Sequence, residues 1–68
     1  MKKKEKEDFE NQKLLVSVGM ELEGGSFVKS LGNALGFADS INSIKIKNAF
    51  PEYWEKYLKI GEKFVNKV

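Results

Sequence analysis

Residues 24–39 place the strongest constraint on the fold, because their apolar side chains repeat at helical spacing. Gly24 and Gly25 interrupt the chain just before this repeat, and Ser26 is suited to cap a first helical turn. The repeat covers one face of a helix, whereas a strand would divide it between two faces. We therefore expect residues 26–38 to form the central helix of a small all-α domain. Its core-facing positions are Phe27, Val28, Leu31, Ala34, Leu35 and Ala38.

Two glycines, Gly32 and Gly36, lie one turn apart inside this predicted helix. A glycine in a helix costs about 1 kcal/mol relative to alanine, so a close helix contact is expected to offset the cost. The contact is either a tight crossing inside the monomer or a surface for self-association or a partner. A membrane dimer is not expected, because no apolar run approaches the roughly 20 residues that span a bilayer.

A first helix is predicted over about residues 5–23. Its apolar stripe follows i, i+1, i+4 and i+8 spacing, while Val16 and Met20 lie off the stripe. The helix is therefore either surrounded by the other helices or in contact with a second chain over part of its surface. A short strand over 14–18 is the alternative, because that run is β-prone. We expect residues 1–8 to form a charged flexible tail and 9–68 a single helical domain. The stripe residues are Leu14, Leu15, Val18 and Leu22.

A third helix is predicted over 40–49, capped by Asp39 or Ser40, with Ile41, Ile44 and Ala49 pointing inward. Residues 44–47 alternate in a way that also suits a strand. The helix is favoured because no convincing second strand exists to pair with them. The fold class is thus all-α, a small bundle of three to four helices over about 5–23, 26–38, 40–49 and 51–67.

The last of these helices starts after a corner at Phe50, because Pro51 disfavours helical geometry before it and suits the first turn after it. Gly61 lies in the middle of the apolar face of this helix. We expect Gly61 to meet Gly32 and Gly36. The apolar face consists of Trp54, Tyr57, Leu58, Gly61, Phe64, Val65 and Val68.

Composition removes several classes of function. The 68 residues include no cysteine and no histidine, so disulfides, the usual zinc ligands and the usual nucleophile–base pairs are missing. The spacing of the glutamates marks no acid–base or magnesium site. We therefore expect no enzyme, no metal site and no cofactor. Acidic residues follow the lysines of the N-terminus where a signal peptide would need an apolar run, which predicts a cytoplasmic protein.

Basic residues suggest one binding function. The net charge is only +2, and all 12 basic residues are lysine, which argues against sequence-specific DNA recognition by arginine. Four lysines nevertheless align on the last helix, opposite its aromatic face. They form either a solvated face ion-paired with Glu52 and Glu55 or a contact to nucleic-acid phosphates that is independent of sequence. These residues are Lys56, Lys59, Lys63 and Lys67.

Aromatic residues suggest a second binding function, contact with a protein. Trp54 and Tyr57 fit the core, but Phe37, Phe50 and Tyr53 are expected to form one exposed patch. Aromatic side chains are favoured anchors in protein interfaces, so this patch predicts a protein-binding surface. Under the self-association interpretation, the surface extends to the two glycines of the central helix. The predicted interface is Phe37, Phe50, Tyr53, Gly32 and Gly36.

Several segments resemble a pattern in small proteins of phages, prophages and mobile elements. The segments are 24–28, 31–35, 38–39 and 49–57, and the run Phe-Pro-Glu-Tyr-Trp-x-x-Tyr from Phe50 to Tyr57 is the most distinctive. Ser40 stands where the pattern has a proline. The resemblance implies a setting, a phage-infected host, rather than a mechanism. The sequence thus predicts a non-enzymatic interaction protein that binds a host or phage protein, such as a defence nuclease, or forms a homodimer. The alternative is a lysine-rich nucleic-acid accessory protein.

Overall fold

Four helices make up nearly all of the backbone that the computed structural model describes, which is residues 3–66, with side chains described for 8–66. They are α1 (Lys3–Glu23), α2 (Ser26–Phe37), α3 (Ser40–Ala49) and α4 (Pro51–Asn66). The predicted all-α bundle is confirmed, with bounds that differ by at most two residues. Both strand alternatives, over 14–18 and 44–47, are wrong because those residues lie within α1 and α3.

The central helix is α1, not α2 as the sequence suggested. Its contacts with α2 define an antiparallel hairpin: the Ser17 Oγ donates to the Gly32 carbonyl at 2.9 Å, and the Lys13 Nζ donates to the Ala38 carbonyl. Later residues of α2 therefore contact earlier residues of α1, as in an antiparallel pair. The length of α1 explains its role, because 21 residues extend about 31 Å and give both α2 and α4 a surface to pack on.

Helix α4 crosses α1 through a pair of glycines. A Cβ on Gly61 would overlap the carbonyl of Leu15, and a Cβ on Gly19 would lie 3.0 Å from the carbonyl carbon of Tyr57. The two backbones are therefore in direct contact. Such an approach is open only to residues without a side chain, which accounts for a glycine on each helix despite its cost in helix propensity.

Helix α4 reaches α1 from both sides of this crossing. On one side the Trp54 ring stacks on Phe9 with centroids 5.6 Å apart, and its Nε1–H donates to the Gln12 Oε1 at 3.4 Å. On the other side Val65 lies beside Leu14. Trp54 and Val65 thus extend the contact of α4 with α1 beyond the glycine pair.

The buried face of α1 differs from the predicted stripe. Val16 and Met20 are fully buried, whereas Leu14 and Leu22 are 60% and 50% exposed. The stripe prediction was wrong because α2 and α4 both pack on the side of α1 that carries the small residue Gly19. The buried apolar core is Val16, Met20, Val28, Leu35, Trp54 and Tyr57.

Helix α2 divides its apolar arc between two environments. Val28, Gly32 and Leu35 are buried against α1, but Phe27 and Ala34 are exposed. The prediction that all of them face the core was wrong because the arc is wider than the strip that one neighbouring helix covers. Part of the apolar surface of α2 is therefore left for α3 and for solvent.

The predicted start signals of α3 and α4 are confirmed, and that of α2 is not. The Asp39 carboxylate accepts from the Asn42 N–H at 2.8 Å, which confirms it as the N-cap of α3. Pro51 is the first residue of α4, as predicted. The prediction that Ser26 caps α2 is wrong. Gly25 occupies the N-cap position without a side-chain hydrogen bond, and Ser26 is the first helical residue.

Helix α3 buries a polar residue rather than its isoleucines. Ser43 is fully buried, whereas Ile41 and Ala49 are exposed and Ile44 is half-buried, so the predicted inward face of α3 was wrong. A face centred on the small side chain of Ser43 rests against the bundle. Ile46 reaches the core from the flank of that face.

Replacement of Ser43 by alanine is expected to stabilise the protein. The Ser43 Oγ is buried and has no hydrogen-bond partner among the described residues, which costs about 1–3 kcal/mol in desolvation. We expect Ser43→Ala to raise the free energy of unfolding by about 1–2 kcal/mol in urea denaturation followed by circular dichroism. Ser30→Ala, at an exposed position of α2, is the control for helix propensity and should gain less. An equal gain in both variants, or a loss in Ser43→Ala, would show that the hydroxyl is satisfied.

Candidate protein-interaction surface

An open groove lies between α2 and α3. Its volume is about 590 Å³, within the range of small-molecule and peptide side-chain pockets. Asn42 and Lys45 contribute polar groups from α3. The rest of the lining is apolar, and it consists of Ala34, Phe37, Ala38, Ile46, Ala49 and Phe50. We call this feature the α2–α3 groove.

Phe37 is the most exposed large apolar residue described, at 86%. It is the last residue of α2, and the backbone around it is fixed on both sides. The Ala38 N–H donates to the Leu35 carbonyl at 3.1 Å, and the Ala38 carbonyl accepts from the buried Lys13. A lysine at a helix C-terminus also complements the helix dipole. The exposed Phe37 ring thus lies at a helix end whose following residue is held by two hydrogen bonds.

Sequence reasoning missed the role of Lys13. The residue is only 9% exposed and lies on the buried line of α1, together with Val16 and Met20 at i+3 and i+7. That spacing is the signal that could have placed Lys13 among the buried residues. Its charge ties α1 to the end of α2 and so supports the position of Phe37.

Phe50 and Tyr53 are brought together at the other end of the groove. Their rings stack with centroids 5.8 Å apart and an interplanar angle of 10°. Phe27 meets the edge of Phe50 at 5.9 Å, which joins the start of α2 to the start of α4. Phe37 and Phe50 both line the groove, whereas Tyr53 joins them only through Phe50. Phe27 is 59% exposed and belongs to the same aromatic cluster as Phe50 and Tyr53. It was missed from the sequence because it was assigned to the core.

The two glycines of α2 have different environments. A Cβ on Gly32 would lie 2.8 Å from the Cβ of Met20, so Gly32 packs inside the monomer and is covered by α1. Gly36 is exposed, and its nearest neighbour would be the Ser17 Oγ at 3.7 Å. The tight crossing inside the monomer is thus observed for Gly32. The predicted contact of these glycines with Gly61 is wrong, because Gly61 meets α1.

The lysine line of α4 is exposed at Lys56, Lys59 and Lys63, and Lys67 lies outside the described residues. The expected ion pairs with Glu52 and Glu55 are not formed. Within residues 8–66 the ion pair at or below 4.0 Å joins Lys13 and Glu10 of α1. The Lys56 Nζ instead lies 5.3 Å from the ring centroid of Tyr57. The interpretation as an ion-paired face was therefore wrong, and the charges of these lysines are open to solvent.

A second apolar surface lies on α1, opposite its buried face. Leu14, Val18 and Leu22 are spaced i, i+4 and i+8 and form one outward line, which we call the α1 outer line. Beside it, Leu15 and Val65 complete an apolar depression of about 440 Å³. These residues were predicted to be core, and they form a surface because α2 and α4 occupy the other side of α1.

Over residues 8–66, no group of three or more acidic side chains is placed to hold a metal ion. None of the helices, within the part of the chain that is described, has the length and apolar character needed to cross a bilayer.

Comparison with protein-family models, with curated proteins and with solved structures found no match to this chain. The resemblance to small proteins of phages and mobile elements therefore stays a prediction.

Proposed function

We propose that this protein is a non-enzymatic interaction module that binds another protein through the α2–α3 groove. The observation that carries the proposal is the 86% exposure of Phe37 beside Phe50 in an apolar groove. Burial of an exposed phenylalanine is worth about 1.5–3 kcal/mol, so this aromatic ring in solvent is an available binding anchor.

The shape of the groove favours a helical occupant. It lies between two helices, and α3 extends about 15 Å along it, which matches two to three turns of a partner helix. Partner helices enter such grooves with apolar anchors at i, i+3 or i+4, and i+7. Lys45, the charged residue of the lining, favours a helix with acidic flanks.

The setting that the resemblance implies extends this proposal. In the cytoplasm of a phage-infected host, the partner is a host or phage protein, and a defence nuclease is one such target. Direct binding, rather than chemistry, is then the means of modulation. The absence of histidine and cysteine from the sequence supports this interpretation.

Affinity purification with matched variants tests the proposal. The bait is the full chain, expressed in the cells that carry its gene, and the wash contains 0.5 M salt. A protein captured by the wild type is then purified and titrated against each bait. We expect Phe37→Gln to weaken its binding at least 10-fold, because the anchor is lost. Ile41→Gln is the control, since Ile41 is 68% exposed but lies outside the groove.

Equal binding by Phe37→Gln and the wild type would exclude the groove as the binding site. Folding of both variants is checked by circular dichroism, and neither change removes a buried side chain. Weakened binding by Ile41→Gln alone would move the site to the start of α3.

The exposed lysines of α4 favour a second candidate function, contact with nucleic-acid phosphates. Lys56, Lys59 and Lys63 lie on one line and carry charges that no described carboxylate neutralises within 4.0 Å. Under this proposal, binding to a random DNA duplex at 50 mM salt falls steeply by 200 mM, and Lys59→Gln reduces the salt dependence. No retention of the duplex at 50 mM salt would exclude the function.

A further inference from the structure

We propose that the chain associates head to tail, with the α1 outer line of one copy seated in the α2–α3 groove of the next. This inference rests on the proposed function of the groove and names a second copy as its occupant. The domain has two apolar surfaces that no other helix covers, the α1 outer line and the α2–α3 groove. Leu14 and Leu22 are 60% and 50% exposed on one of them, and Phe37 is 86% exposed on the other.

The two surfaces match in length and pattern. Leu14 and Leu22 are eight residues apart, which is about 12 Å along a helix, and α3 gives the groove about 15 Å. The α1 outer line has the i, i+4, i+8 spacing of a helix that docks into a groove. It lies opposite Val16 and Met20, so docking leaves the core of the monomer unchanged.

The two surfaces also match in charge. Over residues 8–23 the exposed charged side chains of α1 are Asp8, Glu21 and Glu23, and of these Glu21 borders the α1 outer line. Glu21 is seven residues after Leu14 and so lies on the same side of the helix. The groove carries Lys45 in its lining. Seating the outer line in the groove therefore allows Glu21 of one copy to approach Lys45 of the next.

Charge also separates this arrangement from symmetric ones. In a two-fold dimer through the grooves, Lys45 of one copy approaches the same lysine of its partner. In a two-fold dimer through the α1 outer line, Glu21 of one copy approaches the same glutamate of its partner. Only the head-to-tail contact pairs opposite charges, and because it joins different surfaces it leaves a free groove and a free outer line at the two ends. Assemblies are therefore expected to grow beyond the dimer.

The test is complementation between two single variants of the full chain. Sedimentation velocity of the wild type from 10 µM to 1 mM is expected to show a mass that rises past that of a dimer. Leu14→Gln removes the outer line and Phe37→Gln removes the groove anchor, and each alone is expected to remain monomeric across this range. An equimolar mixture is expected to form a 1:1 dimer, because each variant supplies the surface that the other lacks. Ile41→Gln is the control and should associate like the wild type.

Each other outcome overturns the inference. A wild type that stays monomeric at 1 mM excludes self-association but leaves the groove free for a foreign protein, which the titration above tests separately. A mixture of the two variants that remains monomeric, or a wild type that stops at the dimer, indicates a symmetric contact. Association that is unchanged in Leu14→Gln excludes the α1 outer line.

Discussion

Gly61→Ala is expected to unfold most of the protein or to lower its free energy of unfolding by about 2–4 kcal/mol. The added methyl group would overlap the backbone carbonyl of Leu15, so α1 and α4 would have to separate at their crossing. A domain of this size is stable by roughly 3–10 kcal/mol, so the loss is a large fraction of the total. Thermal and urea denaturation followed by circular dichroism at 222 nm measure it.

Gly36→Ala is the matched control for this prediction. It makes the same change inside a helix, but its Cβ would meet only the Ser17 Oγ at ordinary contact distance, 3.7 Å. Gly36→Ala should therefore gain about 0.5–1 kcal/mol from helix propensity. If both variants gain stability, the backbones of α1 and α4 are not in contact at Gly61.

Trp54→Ala is expected to cost about 3–5 kcal/mol and to leave the chain largely unfolded at 25 °C. The side chain is only 1% exposed and stacks on Phe9 of α1 at 5.6 Å. The Lys47 Nζ of α3 lies 5.7 Å from its ring centroid, so three helices meet at this residue. Urea denaturation followed by circular dichroism is the appropriate measurement, because the variant lacks the only tryptophan.

Trp54→Phe separates packing from the hydrogen bond to Gln12. A phenylalanine retains stacking on Phe9 but lacks the Nε1–H, so we expect it to recover at least half of the stability lost in Trp54→Ala. A loss in Trp54→Ala below 1 kcal/mol would contradict the placement of Trp54 in the core.

The helices themselves were predictable from the sequence. Local signals are strong at their ends: the two glycines before Ser26, the Asp39 cap and Pro51 each act on neighbouring backbone groups. The periodicity of α4 also identified Trp54 and Tyr57 as core. It was wrong at the end of the same apolar face, because Phe64 and Val65 are 49% and 51% exposed, and Val68 lies outside the described residues. These features depend on residues a few positions apart, which a single sequence contains.

The packing of the helices was not predictable in the same way. An apolar position on α1 or α2 can face another helix or solvent, and the sequence alone does not say how wide a strip its neighbours cover. Leu14 and Phe27 were assigned to the core on periodicity, and both are exposed. Gly19 was the missed signal, because a glycine within a helix marks the point where another backbone approaches.

The candidate site was predictable in part. Phe37, Phe50 and Tyr53 were expected to form one exposed patch. Phe37 is exposed and shares the groove with Phe50, but Phe50 and Tyr53 are half-buried and Tyr53 packs against the core, so the exposed patch is wrong for these two. The groove itself depends on the angle between α2 and α3. Long-range contacts such as that of Lys13 with Ala38, which ties α1 to the end of α2, are not indicated by a local pattern.

Nuclear Overhauser contacts of the Phe37 ring in the free monomer, recorded at low protein concentration, measure most directly whether the core is complete without this ring. We expect the Trp54 ring protons to show contacts to Phe9, and the Phe37 ring protons to show none to α1 or α4. Contacts from the Phe37 ring to Met20 or Trp54 would contradict this, because the ring would then belong to the core and no anchor would remain in the groove for a protein partner.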